Sequence, residues 1–543
     1  MKTKIEKIKN EIEKHNRILI IFMFIACYLF GLSFLGSVGV NYDEKAEQNI
    51  LKMNVLEYAQ VFAKDSDLVA FYKEQGIVPI YQSVEKDHGI SPYYLFTPLL
   101  ALDKISEHTL SFAWHFYTYT LCFIGIVFCY LIVLELWNSK KVAAFSSLIL
   151  FLTPRIFADG LYNNKDCVLL SLSIMCLYFG IRFIKNKSVR SALAFGTISA
   201  IACNVKVSGG FLFAMVGIFY LIELTKNKSW SKKTFGVGAI AVLSCILLYL
   251  ILTPAIWAEG FHLFDFFKWS LQNSVSFARN YGYVWFENTL YEHWTNPLPW
   301  YYLPKIMFLT LPLFISILFI LGLSFCIKNV IKKENKKENF FCLLCASIFL
   351  IPIFIALVSN PNIYNGWRHF YFLYGPMIIL VSYAILIMFK NKKLSKMAYG
   401  FVIICLFGNL IGILKNGVSS SFYYNVVANN PSVNYEMDYY GVAATTVLQD
   451  LAKTEEDPVY LYAFESWALN YNYEALKNTY KEKIVLLKTK EELESALQEG
   501  VKPYYYYAHD YDKEENVAAY FVQDKELLKE YKTFNHTYAT IYK

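Results

Sequence analysis

Long apolar runs recur along this chain near residues 18–38, 110–136, 142–158, 166–184, 191–205, 209–224, 234–254, 303–327, 339–359, 369–389 and 397–415. Most have the roughly 18 residues or more that carry a helix across a bilayer. They predict about eleven membrane spans and a polytopic α-helical membrane protein. The weakest are the two between 191 and 224, split by Lys206, Ser208, Gly209 and Gly210. Hydrophobic residues make up 56% and charged residues 17%, where a soluble domain carries about 25% charged residues. A soluble enzyme, a fibrous protein and a disordered tail are thereby excluded.

The net charge of +7 does not gather into a nucleic-acid patch, so no nucleic-acid partner is expected. The basic residues form short clusters after alternate apolar runs: Lys140 and Lys141; Arg182, Lys185, Lys187 and Arg190; Lys226, Lys228, Lys232 and Lys233; Lys328, Lys332, Lys333, Lys336 and Lys337; Lys390, Lys392, Lys393 and Lys396. Cytoplasmic loops carry this bias. The expectation is a multi-pass protein of the plasma membrane with a cytoplasmic N-terminus and, for an odd number of spans, an extracytoplasmic tail. A basic N-terminal segment precedes the first run without a small-residue cleavage site, which reads as an uncleaved anchor. The cysteines lie in or beside apolar runs, so no disulfide framework is expected outside the membrane, and Cys342 and Cys345 read as lipid-embedded rather than metal-binding.

Three segments fall on the outer face. Residues 39–109 are polar and rich in tyrosine and acids, and 257–302 are dense in Trp, Tyr and Pro. In the third, strand-like VYLYA (458–462), KIVLL (483–487) and PYYYYAH (503–509) alternate with helix-like GVAATTVLQDLAK and KEELESALQEG. The predicted organisation is a transmembrane catalytic domain over residues 1–416 and an extracytoplasmic α/β domain over 417–543.

Polar groups at a membrane face are costly and tend to be kept for function. Asn41-Tyr42-Asp43-Glu44 directly follows the first run. Its acids suit a general base toward a hydroxyl, or a cation ligand, against a solvated helix-end pair. The stretch from Pro154 to Asp166 reads as a very short outer turn that gathers Arg155, Asp159, Lys165 and Asp166 within roughly one to three helical turns. A salt-bridge lock and a substrate site stand as equal alternatives there. Tyr364-Asn365-Gly366-Trp367-Arg368-His369 opens the tenth span from outside. Arg368 can hold a phosphate through planar bidentate hydrogen bonds, with His369 assisting. Lys206, on another short outer turn, is a second phosphate ligand, and snorkelling is the alternative for both cations. Trp257, Trp285, Trp294, Trp300, Tyr281, Tyr283, Tyr301 and Tyr302 suit sugars or polyprenyl chains, but interfacial anchoring accounts for most of them.

Taken in order, these stretches resemble the GT-C superfamily of membrane glycosyltransferases, and within it the protein O-mannosyltransferase/aminoarabinose-transferase-like family 39. The acidic pair after the first helix is similar to the superfamily signature. PRIFADGLYNNKD resembles a Pro-Arg-…-Asn-x-Lys-Asp segment of the bacterial members, and TPAIW and NPLPWYYLP resemble their Pro-x-x-Trp and Pro-Trp-Tyr-x-Pro stretches. YNGWRHFYFLYGP resembles Gly-x-Arg-His-…-Pro, and FYYNVVANN with NYEMDYYG resembles the tail after the last helix. The likeness covers roughly residues 18–450. It implies an inverting transfer of a sugar from a polyprenyl-phosphate carrier to an acceptor hydroxyl or amine on the outer face. Carried onto these positions, Asp43 would be the base, Glu44 would assist or orient, and Arg368 with Lys206 or Lys165 would neutralise the departing phosphate. The choice of Asp159 or Asp166 as second acidic site stays open, as does a divalent cation, magnesium or manganese, at Asp43 and Glu44. Implied partners are the lipid-linked donor, membrane lipid, and an acceptor protein, glycan or glycolipid. A transporter or flippase of a lipid-linked sugar is the alternative from another class, and it predicts charges at mid-membrane depth with paired broken helices. A scaffold whose outer domain binds cell-wall polymers is a third.

Overall fold

The apolar runs become helices because, in lipid, each backbone N–H and C=O must be satisfied within its own segment. The structure, a computed structural model, describes residues 2–102, 105–258, 260–276, 283–292, 295–334, 336–454, 458–462, 466–508 and 522–543. Tyr281, Trp294 and His509 lie outside the described residues. Among the described residues, nine helices are long and apolar enough to cross a membrane, from Arg17–Ser37 to Ser395–Phe422. The other two predicted runs take different forms. Val189–Val205 is a shorter apolar helix, and Lys140–Phe151 with Pro154–Tyr162 is a pair bent by 68°.

Proline explains that bend and corrects the reading of this stretch as a straight span followed by an outer turn. The residue before a proline is driven out of the α region, while proline itself suits the first turn of a helix. Thr153 is accordingly extended (φ −73°, ψ 114°), and Pro154 opens a new helix. Arg155 and Asp159 therefore sit in a buried helix rather than a solvated turn. Pro312 acts likewise, separating Tyr302–Thr310 from Leu313–Ile331, so the run predicted at 303–327 is also broken.

Burial separates the helices into centre and rim. The span Arg368–Lys390 is 83% buried and lies at the centre, whereas Lys232–Leu252 is 17% buried and faces lipid along most of its surface. Without a hydrophobic driving force between helices in lipid, close approach depends on small residues. At Gly322 an added Cβ would lie 2.0 Å from the carbonyl oxygen of Leu380, and at Gly125 2.7 Å from Ser171 Oγ. Among the described residues the eleven cysteines are free thiols.

Two sheets lie outside the spans. A hairpin joins β1 (Tyr283–Phe286) to β2 (Thr289–Glu292). The C-terminal sheet contains β3 (Val459–Tyr462), β4 (Ile484–Leu487), β5 (Tyr504–Ala508), β6 (Leu527–Thr533) and β7 (His536–Tyr542) in the order β4-β3-β5-β7-β6. Strand β3 pairs in parallel with β4 and β5, and β7 runs antiparallel to β5 and β6. Helix Lys490–Gln498 begins with a Thr489/Glu492 capping box. The first three strands and the helices Ala444–Leu451 and Lys490–Gln498 fall where the sequence predicts them. The β6–β7 hairpin was not predicted. Its turn, Phe534-Asn535, has φ of 45° and 69° without a glycine to signal it. Phe534 N–H donates to Asn416 Oδ1 at 2.9 Å, and Thr533 Oγ1 to the Ser419 carbonyl at 2.9 Å, tying the sheet to the end of the last span.

Gly322→Val places two methyl groups against the Leu380 backbone. We expect a loss of about 1–3 kcal/mol from overpacking, read as a lowered thermal midpoint in detergent. Gly400→Val, whose added Cβ meets nothing within 4 Å, serves as the control.

Candidate active site

Helical periodicity sorts the acids that follow the first span. Asn41 Oδ1 accepts from the Asp43 N–H at 3.0 Å and Asn41 Nδ2 donates to the Tyr162 carbonyl at 3.2 Å, fixing the entry to helix Glu44–Phe62. Successive helical residues point about 100° apart, and residues four apart share a face. Asp43 and Glu47 accordingly face one way, and Glu44 and Gln48 the other.

The first face meets Arg368. Arg368 Nη1 donates to Asp43 Oδ2 at 2.8 Å and to Tyr440 Oη at 2.9 Å, and lies 3.6 Å from Asp166 Oδ2. The guanidinium packs against the rings of Tyr364 and Tyr440, each 5.1 Å from the ring centroid. Its side chain is 8% exposed against 30% for Asp43, so the carboxylate is the accessible member of the pair. Asn365 and Gly366, with φ of 55° and 70°, turn the chain into this position. Trp367 Nε1 then anchors it by donating to Thr310 Oγ1 at 2.8 Å.

Two lysines complete the cluster. Lys206 Nζ donates to Asp166 Oδ1 at 2.7 Å and to His369 Nδ1 at 3.1 Å. Lys165 Nζ donates to Glu47 Oε1 at 2.7 Å. Burial lowers the pKa of Lys206 against the opposing pull of Asp166, whereas at Lys165 burial is outweighed by Glu47 and the net shift is upward. Asn163 holds the start of the Asp166 helix, its Oδ1 accepting from the N–H groups of Lys165 and Asp166 at 3.2 and 2.7 Å, while its Nδ2 donates to Tyr440 Oη at 2.8 Å. Three acids (Asp43, Glu47, Asp166) thus face three bases (Lys165, Lys206, Arg368) at one end of the spans.

The remaining predicted residues lie elsewhere. Glu44 is fully buried, accepting from Ser111 Oγ at 3.0 Å and Gln48 Nε2 at 3.3 Å, with His115 Nε2 at 2.7 Å. It tethers its helix to the span Glu107–Trp137 and does not reach Arg368. Asp159 accepts from Tyr162 and Tyr371 hydroxyls at 2.8 and 2.6 Å, and Arg155 donates to the Tyr423 carbonyl at 3.1 Å over the Tyr424 ring. Both are buried, each bonded to its own partners within the protein. Asp166, not Asp159, is the acid brought beside Arg368. Because Asp43 and Glu44 diverge, they offer no common point to a cation. Among the described residues, no group of three or more His, Cys, Asp or Glu side chains is placed to hold a metal. Of the aromatic residues, Trp285 is buried with Nε1 donating to the Val433 carbonyl at 2.6 Å, Tyr302 donates to the Gly366 carbonyl at 3.4 Å, and Trp300 is exposed.

Sequence reasoning missed Glu47, Tyr440, Asn163 and His115. Glu47 was findable as the residue four positions after Asp43. Tyr440 and Asn163 stood in quoted stretches without a stated role.

Two solved structures of low similarity cover most of the chain. ArnT from Cupriavidus metallidurans in the apo state is 10% identical, covering 97% of this chain and 98% of that one with a TM-score of 0.42. The same protein bound to undecaprenyl phosphate is 10% identical over 96% and 97%, with a TM-score of 0.44. No curated protein matches the chain. Residues 94–257 match the family model described as dolichyl-phosphate-mannose-protein mannosyltransferase. The matched segment contains Arg155, Asp159, Lys165, Asp166 and Lys206, and the protein is a polytopic membrane glycosyltransferase. Within that class the matched segment is similar to the mannosyltransferase family of that model.

Removing the Glu44 carboxylate leaves His115 and Ser111 buried without their partner. Glu44→Ala is expected to cost roughly 3 kcal/mol of stability, measured by thermal unfolding of the purified protein. Asp43→Asn, at the more exposed neighbour, should unfold close to the wild-type midpoint.

Proposed function

We propose that this protein transfers a sugar, with inversion, from a polyprenyl-phosphate carrier to an acceptor hydroxyl or amine at the extracytoplasmic face of the plasma membrane. The observation that carries the reading is the ion pair between Asp43 and Arg368, with Asp166 and Lys206 beside it. An inverting transfer needs a base on one side of the anomeric carbon and positive charge around the leaving phosphate on the other. Asp43, the exposed partner, takes the proton from the acceptor. The acceptor atom then forms its bond to the anomeric carbon as the carbon–oxygen bond to the phosphate breaks. Arg368, with Lys206 and Lys165 nearby, receives the negative charge left on the phosphate. Phosphate binding to Arg368 also draws the guanidinium from Asp43 and frees the carboxylate to act.

Orientation follows from the two ends of the helices. Asp166, Ser208 and Arg368 open spans whose far ends, at Asn186, Lys226 and Lys390, lead into basic clusters. With those clusters cytoplasmic, the site and the C-terminal sheet lie outside. The acceptor is a protein, glycan or glycolipid presented there.

Purified protein incubated with a panel of polyprenyl-phosphate sugars should consume one of them. Asp43→Asn should lower turnover by about 10³-fold, within the range for loss of a general base, while remaining folded. Arg368→Ala should raise the KM for the donor more than it lowers stability. Near-normal turnover in Asp43→Asn removes that residue from the mechanism.

A further inference from the structure

We propose that Asn472 is a positioning residue for the Asp43–Arg368 pair. Its amide binds the segment that delivers the acid to the segment that delivers Tyr440, so that the C-terminal sheet takes part in building the site. The proposal rests on the reading of Asp43 as the base.

Asn472 lies in helix Trp467–Glu474, on the crossover from β3 to β4, and is fully buried. Its Oδ1 accepts from the Val40 N–H at 2.7 Å, across 432 residues of sequence, and from Thr445 Oγ1 at 2.6 Å. Its Nδ2 donates to the carbonyls of Ala468, Gly441 and Val40 at 2.7, 3.0 and 3.2 Å. Donors meet Oδ1 and carbonyls meet Nδ2, which fixes the way the amide points. It pairs with both backbone groups of Val40, as a neighbouring strand would. Two glycines let the three backbones come this close. At Gly39 an added Cβ would lie 2.5 Å from Asn472 Oδ1 and 2.3 Å from the Val442 carbonyl oxygen. Gly441 has φ of 69°, and its added Cβ would lie 2.5 Å from the Trp467 ring and 2.7 Å from Ala468 Cβ.

From this clasp each segment runs straight to the charged cluster. Asp43 comes three residues after Val40. Between them the Tyr42 N–H donates to the Tyr440 carbonyl at 3.2 Å, and the Asp43 N–H donates to Asn41 Oδ1 at 3.0 Å. On the other side Tyr440 directly precedes Gly441, and its hydroxyl accepts from Arg368 Nη1 at 2.9 Å. Asp438 fixes the turn that follows, accepting from the N–H groups of Val442 and Ala443 at 3.1 and 2.8 Å. The acid and the phenol that share Arg368 Nη1 are therefore set against each other by one amide. None of the hydrogen bonds of Asn472 goes to a charged group, so it acts on the pair through the backbone. A shift of either segment changes the Asp43–Arg368 geometry without removing a reacting group.

The test uses the full-length protein in membranes of the source cell lacking its chromosomal copy, so that the native acceptor is present. The probes are radiolabelled polyprenyl phosphates carrying mannose, glucose or aminoarabinose, and the readout is carrier phosphate released per folded protein. Asn472→Ala should lower turnover about 100-fold, the cost of misplacing a reacting group by roughly 1 Å, with the donor KM changed by less than about threefold. In an Asp43→Asn background the same substitution should lower turnover by less than about twofold, because the group it positions is gone. Hydrogen exchange over residues 38–43 should quicken about tenfold or more. If Asn472→Ala does not fold, Thr445→Val decides. It keeps the shape, removes the hydroxyl that orients Oδ1, and should lower turnover about fivefold, again only when Asp43 is present. Losses that multiply in the double variant overturn the proposal, as does an alanine variant with wild-type turnover. Unchanged exchange over residues 38–43 overturns the clasp itself, whatever the turnover. A wild type inert toward all three donors, or an Asp43→Asn variant as active as wild type, overturns instead the reading on which the inference rests.

Discussion

A guanidinium held between two carboxylates near the membrane face is the interaction on which the rest of this architecture depends. An unpaired charge in so buried a setting costs several kcal/mol, and Arg368 keeps a carboxylate beside it while either Asp43 or Asp166 remains. Arg368 therefore obliges the fold to bring Asp43 and Asp166 to it from distant parts of the chain, and Asp166 is in turn paired with Lys206. The arrangement is neutral as a whole but polarised locally. Such a cluster can exchange one of its own carboxylates for an incoming anion without building new positive charge.

The helix that carries Asp43 illustrates how the scaffold holds this balance. One of its faces serves the charged cluster, and the other is pinned through Glu44 to His115 and Ser111 on a membrane span. Two adjacent acids thus do different work because a single step along a helix rotates the side chain by about 100°. The second acid is spent on fixing the direction of the first. Arg155 and Asp159 anchor the second helix of the bent pair in a similar way, through the Tyr423 carbonyl and the Tyr162 and Tyr371 hydroxyls.

Much of this was legible in the sequence because its strongest signals are local. Apolar length located the nine spans found among the described residues, though it also counted a bent pair and a shorter helix as spans, and strand alternation located β3, β4 and β5. The residues Asp43, Arg368, Lys206, Lys165, Asp166 and His369 were singled out by their cost near a membrane, and they do meet. What the sequence hid were relations that only three dimensions supply. The divergence of Asp43 and Glu44 requires knowing that the helix begins at that point. The role of Thr153-Pro154 as a break rather than a span end moves Arg155 and Asp159 from an expected outer turn into a buried helix. Tyr440 reaches Arg368 across more than seventy residues, and no periodicity announces it. The β6–β7 turn uses Phe534 and Asn535 in a conformation that glycine ordinarily marks.

The stretch after the last span, residues 417–442, returns to the centre of the molecule and supplies Tyr423 and Tyr440 to groups laid down much earlier in the chain. It leaves the ribosome after all the membrane helices. Until it arrives, the arginines lack their covering phenols and the outer hairpin has no strand to rest on. The order of synthesis thus acts as a safety catch: a nascent or interrupted chain carries every charged group of the site but not the wall that shapes it.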